Sequence, residues 1–338
     1  MSRCMNCKIP SWITTFKTTA RSAMCVSLLL LQPDVSHAEA VVKERKVLVI
    51  GIDGCRPDAL RKATAPELAG LAEKGAFSYT TQNLPLRLVD VETSSGPGWA
   101  SMLCGAFPDK HGWLDDVRRR RFNGNNPHFF ARLKAHNEKL KTASIIVWRP
   151  IMNMVTAADV NESFVDDKGV EDRALDVLGT LNPDAMFIHL DAVDHAGHHS
   201  GFSAENPEYL GAIEAVDGRV GRIIAAIRKR PTFVKEDWLF IVSSDHGGWG
   251  NGHNSHRNVV PDIRRVFLIV SGDTAMRGEI EGQTYIIDVA ATALVHMGVK
   301  LDPAWNLDGI PAGLKGFPSP AVSRPNEPAA TELIRVKK

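Results

Sequence analysis

The stretch KVLVIGI, residues 46–52, is an apolar run that stops at an acidic residue, Asp53. Two later runs stop in the same way: AMFIHL (185–190) before Asp191, and WLFIVSS (238–244) before Asp245 and His246. Apolar runs of this length, separated by helical patterns, are typical of buried parallel strands. They predict an α/β fold with a single doubly wound domain, whose mostly parallel central sheet is flanked by helices.

Helical patterns occupy the segments between these runs. Residues 207–230 show the clearest one, because apolar side chains recur there with the period of a helix. The same approach predicts a helix from Pro57 to about Lys74, an amphipathic helix over 170–181, a helix over 287–297, and strands at 142–148 and 266–270. Residues 77–94 show no pattern that assigns them.

Composition places few limits on function. The chain has 338 residues and a net charge of +1, which gives no reason to expect a nucleic-acid duplex or an anionic membrane as the main partner. Beyond the first forty residues two cysteines remain, Cys55 and Cys104. We expect two small buried residues there, with a disulfide as the alternative.

The two ends of the chain differ from its middle. Residues 1–38 combine a basic start, the apolar run AMCVSLLLL (23–31) and Ser36-His37-Ala38, a pattern typical of a signal peptide. This run is short for a bilayer span, which needs roughly 20 residues, so we expect a periplasmic or secreted protein without stable membrane insertion. An uncleaved anchor and a misassigned start codon are the alternatives. Residues 39–310 then form the domain, and 311–338 a loosely ordered, Pro-rich tail.

Acidic and histidine side chains follow three of the predicted strands. In an open α/β sheet, catalytic groups gather beyond the carboxyl ends of the strands. Carboxylates and imidazoles together suit zinc. These candidate ligands are too many for one tetrahedral ion, so we expect two zinc ions. A sixth ligand is needed to give each ion three, and His253 is preferred to His256 because it directly follows the glycine-rich segment 247–252. The expected ligands are Asp53, Asp191, His195, Asp245, His246 and His253.

A nucleophile should lie beside these ions. Ser95 precedes Gly96-Pro97-Gly98 at the start of a predicted helix, where free N–H groups and the helix dipole favour an anion. Ser95 is also expected to bind a metal ion through its hydroxyl oxygen, because a bound metal ion lowers the pKa of such a hydroxyl. Thr93 and Ser94 are neighbours that spacing alone does not exclude.

Four motifs resemble the type I phosphodiesterase/nucleotide pyrophosphatase family of the alkaline phosphatase superfamily, over roughly residues 45–310. They are GIDGCRPD (51–58), GPGWASMLCGAFPDKHG (96–112), DAVDHAGH (191–198) and SDHGG (244–248). The resemblance implies an alkaline phosphatase-like fold, two zinc ions and a covalent phospho-serine intermediate on Ser95. It also implies one metal site at Asp53, Asp245 and His246, and another at Asp191, His195 and a later histidine, His253.

The chain departs from the family pattern near the nucleophile. Family members carry an asparagine three residues after it that holds phosphoryl oxygens, whereas this chain has Gly98. A backbone N–H, Asn123 or Asn125 is the expected substitute, although both asparagines also suit a turn. His198 is a further candidate for substrate binding. The short segment between His246 and His253 leaves no room for a cap domain.

Three functions are compatible with this pattern. The leading expectation is a phosphodiesterase acting on a small phosphodiester. A phosphomonoesterase on the same fold is the first alternative, because Arg56, Arg87 and Arg149 have no assigned role and arginine often neutralises the additional charge of a monoester. A non-catalytic metal-binding or carbohydrate-binding module is the second. The sequence does not indicate the oligomeric state.

Overall fold

Eight strands form one central sheet in a computed structural model that describes residues 43–88, 91–116, 126–253 and 260–323. In chain order they are β1 (Glu44–Ile52), β2 (Ala76–Gln82), β3 (Thr142–Ile146), β4 (Val160–Ser163), β5 (Ala185–Leu190), β6 (Glu236–Ser243), β7 (Arg265–Ser271) and β8 (Gly278–Glu279). Their spatial order is β4-β3-β5-β1-β6-β7-β2-β8. Only β7 is antiparallel to its neighbours, β6 and β2. The mostly parallel sheet expected from the sequence is confirmed.

Helices cover both faces of this sheet. They are α1 (Pro57–Lys62), α2 (Pro66–Lys74), α3 (Ser95–Cys104), α4 (Pro108–His111), α5 (Phe129–His136), α6 (Asp167–Thr180), α7 (Ala192–Ser200), α8 (Pro207–Arg228), α9 (Pro261–Arg264), α10 (Asp288–His296) and α11 (Pro320–Ser323). Short 3-10 turns lie at Leu86–Leu88, Arg149–Asn153, Phe233–Lys235 and Pro303–Trp305.

Strand β1 shows why its sequence is an unbroken apolar run. Leu48 and Ile50 point into the core cluster that includes α8, whereas Val47 and Val49 point into the cluster on the opposite face, which includes α3 and α10. Successive side chains of a strand alternate between the faces of a sheet, so a strand that is buried on both faces must be apolar throughout.

One local prediction needs correction, and one unassigned segment contains a strand. The helix expected from Pro57 to Lys74 is two helices, because the chain leaves the helical conformation at Ala63 and begins again at Pro66, a residue suited to a first turn. Residues 77–94 contain most of β2, whose pairing with β7 includes an irregularity between Ser78 and Thr81. That irregularity interrupts the regular alternation on which strand prediction depends.

The expected tail begins as part of the domain. Ala312 and Leu314 are buried, and Leu314 forms a bridge with Ala275. The apolar side chains in this segment fill the core cluster that includes α10, so the boundary at residue 310 lies too early. Residues 324–338 and the expected signal peptide, 1–38, lie outside the described residues.

Two smaller expectations concern membranes and thiols. Within the described ranges, no helix is both long and apolar enough to cross a bilayer. Cys55 and Cys104 are free and buried, which confirms the expectation of two small buried residues.

Candidate active site

The sheet brings the acidic ends of β1, β5 and β6 to one edge. Strand β1 lies between β5 and β6 and is parallel to both, with Gly51 level with His189 and Ser243. Asp53 and Asp245 therefore follow neighbouring strands in the same direction. The first turn of α3 lies against Asp245, because a Cβ placed on Gly98 would lie 2.9 Å from the Asp245 Cβ atom.

Asp53 is the centre of the first group of side chains. Its Oδ1 atom lies 3.3 Å from His246 Nε2 and accepts a hydrogen bond from Ser95 Oγ at 3.4 Å. Its Oδ2 atom is also 3.4 Å from Ser95 Oγ, and it accepts further hydrogen bonds from Trp99 at 3.1 Å and His189 at 3.0 Å. Oδ1 of Asp53 therefore faces the imidazole of His246, and Oδ2 faces that of His189.

His189 was missed in the sequence because it lies inside a strand. Its Nδ1 atom accepts the N–H groups of Val147 and Trp148, each at 3.4 Å, so the proton is on Nε2 and is donated to Asp53. With Trp99 it orients the carboxylate, as hydrogen bonds to metal-ligating carboxylates commonly do. A polar residue in the apolar run AMFIHL is the sequence signal that points to it.

Ser95 is the hydroxyl that the structure places at this group. Ser95 Oγ lies 3.2 Å from His246 Nε2. Thr93 instead donates its hydroxyl to the carbonyl of His253, and Ser94 donates to Glu92. Geometry thus separates the three neighbours that sequence spacing left open.

Gly98 has a structural reason to be glycine. Its N–H donates to the Ser94 carbonyl at 3.1 Å within the helix, so the backbone N–H expected to replace the family asparagine is not that of Gly98. A Cβ atom at this position would also meet the Asp245 carbonyl oxygen at 3.1 Å. A longer side chain at residue 98 would require Asp245 to move.

A second group lies next to the first. The ligand atoms of Asp194, His198 and His253 all lie within 4.8 Å of one another, and so do those of Asp53, Asp194 and His246. Asp194 therefore belongs to both groups and joins them. Asp53, His189 and Asp191 form a further such cluster, but there His189 and Asp53 are already hydrogen-bonded at 3.0 Å.

The three histidines of these groups share one tautomer. Each donates its Nδ1 hydrogen to a backbone carbonyl: His246 to Gly247 at 2.7 Å, His198 to Asn251 at 2.9 Å, and His253 to Thr93 at 3.2 Å. A carbonyl can only accept, so in the neutral ring the Nε2 atom keeps its lone pair. All three lone pairs are thereby available to a metal ion, as in many metal sites.

The structure does not bring His195 to the site. Its side chain is 73% exposed and pairs with Asp191 at 3.0 Å, outside every candidate metal group in the described chain. The sequence predicted Asp191 and His195 as ligands, whereas the structure clusters Asp194 and His198 with His253. Both pairs have the same four-residue spacing, so spacing alone does not distinguish them. Helix α7 turns only the second pair toward His253. His198, expected to bind substrate, therefore lies within the second group.

Several buried carboxylates have raised pKa values. Burial, followed by the charges of Asp53 and Asp191, raises the pKa of Asp194 to about 9. Burial and the charge of Asp53 also raise the pKa of Asp245 well above its usual range. One oxygen of each carboxylate, Asp194 Oδ1 and Asp245 Oδ2, has no hydrogen-bond partner among the described residues. Such crowded acidic oxygens fit a cation.

Asp53 and the imidazoles have lowered pKa values. Burial alone would raise the pKa of Asp53, but hydrogen bonding to His189 and the charge of His246 hold it below its usual range. Burial lowers the pKa of His246, and it lowers that of His253 to about 3, where His246 adds to the effect. Neutral imidazoles beside carboxylates are the state that binds a divalent metal ion.

The remaining expected residues lie elsewhere. Asn123, Asn125 and His256 fall outside the described residues. Arg56 is engaged by Asp58, Asp262 and the carbonyls of Phe202 and Gly248. Arg87 pairs with Asp109 at the surface, and Arg149 is exposed.

Comparison with known families identifies the chain. Residues 47–262, more than half of its length, match the family model described as type I phosphodiesterase/nucleotide pyrophosphatase. The chain belongs to this family. Among the described residues of this family member, the side chains that could hold a metal ion form the three clusters described above.

Known relatives agree with this assignment. An uncharacterized pyrophosphatase/phosphodiesterase of Schizosaccharomyces pombe is 23% identical over 230 residues, which are 61% of this chain and 45% of the relative. The chain thus matches less than half of that protein's length.

Solved structures share the fold. An inactive variant of murine ectonucleotide pyrophosphatase/phosphodiesterase 5, in complex with AMP, has a TM-score of 0.60 at 14% identity, covering 77% of this chain and 96% of that chain. A putative sulfatase from Bacteroides thetaiotaomicron has a TM-score of 0.63 at 12% identity, covering 82% of this chain and 76% of that chain.

Proposed function

We propose that this protein is a two-metal phosphoric ester hydrolase that cleaves phosphodiesters through a covalent intermediate on Ser95. The observation that carries the proposal is the position of the Ser95 hydroxyl, 3.4 Å from both oxygens of Asp53 and 3.2 Å from His246, at the first turn of α3. A non-catalytic metal-binding module would not need a hydroxyl there.

Two divalent ions, with zinc as the best fit, are proposed as cofactors. Asp53, Asp245 and His246 would hold one ion, and Asp194, His198 and His253 the other. Carboxylate oxygens and neutral imidazoles form a donor set that zinc favours. When bound, such ions lower the pKa of a nearby hydroxyl and stabilise the charge that develops on the phosphoryl group.

The chain's own residues position the nucleophile. Asp53 and His246 hold the Ser95 oxygen where it can attack phosphorus. A bond forms from this oxygen to phosphorus, the bond from phosphorus to the departing oxygen breaks, and the alcohol leaves with a proton. Water then breaks the bond from Ser95 to phosphorus and releases a phosphomonoester.

The placement of Arg56 and Arg87 supports a diester over a monoester. A monoester carries about one more negative charge, which an arginine commonly neutralises. Arg56 is committed to two carboxylates and two carbonyls, and Arg87 pairs with Asp109. A small diester, such as a nucleotide derivative, is therefore the substrate class that we propose. Export to the periplasm or medium is also proposed, on the pattern of residues 1–38 alone.

Replacement of the nucleophile tests this proposal. Ser95→Ala should lower the turnover of bis-p-nitrophenyl phosphate by at least about a thousandfold, because the neighbouring hydroxyls of Thr93 and Ser94 donate to other groups. The zinc content should remain that of the wild-type protein. The matched variant Ser94→Ala, which loses a hydroxyl that donates to Glu92, should keep most of the activity. Full activity of Ser95→Ala would exclude Ser95 as the nucleophile.

A further inference from the structure

A carboxylate occupies one of the main-chain donors next to the proposed nucleophile. The N–H of Gly96 donates to Asp116 Oδ1 at 2.6 Å. Of the first three residues of α3, only Ser95 and Gly96 carry an N–H, because Pro97 has none. Asp116 therefore takes one of the two N–H groups that a phosphoryl oxygen would meet at this helix end.

The absence of a side chain on Gly96 permits this contact. A Cβ atom at residue 96 would lie 2.8 Å from Asp116 Oδ1 and 2.9 Å from the Asp115 carbonyl oxygen. Any larger residue would push the Asp116 segment away from the first turn of α3. The close approach is thus built into the sequence of the helix start.

The charge of Asp116 acts on the rest of the site. Burial is the largest cause of the raised pKa of Asp116, and the charge of Asp53 adds to it. In turn, the Asp116 charge contributes to the raised pKa of Asp194 and offsets part of the lowering at His246. Asp116 is therefore within electrostatic range of both candidate metal groups.

We infer that Asp116 selects substrates by charge, favouring monoanionic phosphodiesters over dianionic phosphomonoesters. This inference rests on the proposed function and specifies its substrate class. A carboxylate beside the phosphoryl position repels a dianion more strongly than a monoanion, because the Coulomb energy scales with the charge. The Arg56 guanidinium does not offset this repulsion, since it is held by Asp58 and Asp262.

The variant Asp116→Asn tests the inference on the zinc-loaded protein. Asparagine keeps the side-chain size and an oxygen for the Gly96 N–H but removes the charge. The quantity to measure is kcat/KM for bis-p-nitrophenyl phosphate divided by kcat/KM for p-nitrophenyl phosphate. We expect Asp116→Asn to lower this ratio by about tenfold, a difference of about 1.4 kcal/mol in transition-state free energy.

Two further variants make the result specific. Asp116→Glu keeps the charge and should keep the preference for the diester. Asp109→Asn removes one charge from a carboxylate that pairs with Arg87 at the surface, and it should leave the ratio unchanged. An unchanged ratio in a folded Asp116→Asn protein, or an equal loss on both substrates, would overturn the inference.

A binding measurement separates this inference from the proposed function. Calorimetric titration of the zinc-loaded protein with inorganic phosphate at pH 8 should give affinity about tenfold higher for Asp116→Asn than for the wild type. If neither ester is turned over but this difference appears, the hydrolase proposal fails and charge selection stands. If phosphate binds both proteins equally, charge selection fails whatever the turnover shows.

Discussion

The two groups of the site differ in how they are supported. Asp53, Asp245 and His246 follow adjacent strands and are fully buried, with Trp99 and His189 orienting Asp53. Asp194 and His198 instead lie on α7, a helix of nine residues, and the His198 side chain is 44% exposed. Sites on strand ends surrounded by buried hydrogen bonds are held more rigidly than exposed ones. We call Asp53, Asp245 and His246 the strand group, and Asp194, His198 and His253 the helix group. We expect the strand group to bind its metal ion more tightly than the helix group does.

Loss of a ligand from the strand group should have the largest effect. Asp245→Asn keeps the oxygen that accepts the Gly54 N–H at 3.3 Å but replaces the partnerless oxygen with a neutral amide. We expect turnover to fall at least about a thousandfold and zinc affinity to fall with it.

Without metal, Asp245→Asn should stabilise the folded protein rather than weaken it. Burial and neighbouring charges raise the pKa of Asp245, so removal of its carboxylate should raise the melting temperature without metal. Calorimetry with and without zinc checks both effects. Unchanged zinc affinity would show that Asp245 is not a ligand.

The helix group should respond less, and it offers a matched pair. His198→Ala should lower the affinity for one zinc ion and the turnover by about a hundredfold, because it removes one of the three proposed ligands of that ion, an effect at least as large as the loss of a partner that orients a ligand. His195 lies on the same helix, and its side chain is 73% exposed and pairs with Asp191. His195→Ala should therefore change neither the zinc affinity nor the turnover. Zinc titration of both variants is the measurement. The reverse order of effects would restore His195 as the ligand.

The sequence predicted the strand group better than the helix group for a physical reason. Asp53, Asp245 and His246 follow apolar runs directly, and the end of a buried parallel strand fixes where the next residues lie. In α7, however, Asp191–His195 and Asp194–His198 have the same spacing, and spacing alone does not reveal which pair faces inward. His189 and Asp116 were missed because their roles depend on contacts with Asp53 and Gly96, far away in the chain.

The same contrast applies to the fold. Strands β1, β5 and β6 were predicted within a few residues, because burial on both faces makes them uniformly apolar. β2 was not assigned, since it pairs with the antiparallel strand β7 through an irregular register. Regular pairing leaves a pattern in the sequence, whereas irregular pairing does not.

The smallest expected effect is on the stability of the metal-free protein at different pH. The pKa of Asp194 is about 9 in the folded state against an ordinary 3.8, so the folded state binds more protons between these values. Stability therefore falls as pH rises through this window. The pKa of His253 is about 3, so that group acts only below about 6.5.

The melting temperature reports this trend. Without metal it should fall from pH 6.5 to 9 by about 3 °C or more, and zinc should remove most of the decrease because it binds the ionised carboxylate. Asp194→Asn should flatten the metal-free curve. A metal-free wild-type protein that gains stability over this range would contradict the assigned pKa of Asp194.

The most direct test of the account is the zinc content of three purified proteins, measured by plasma mass spectrometry. The wild type should hold about two zinc ions per chain, as expected for two adjacent carboxylate and imidazole groups. Asp194→Asn should hold at most one, whereas Asp191→Asn should still hold two. Two zinc ions in Asp194→Asn together with a loss in Asp191→Asn would contradict the account, because the second ion would then lie at Asp191.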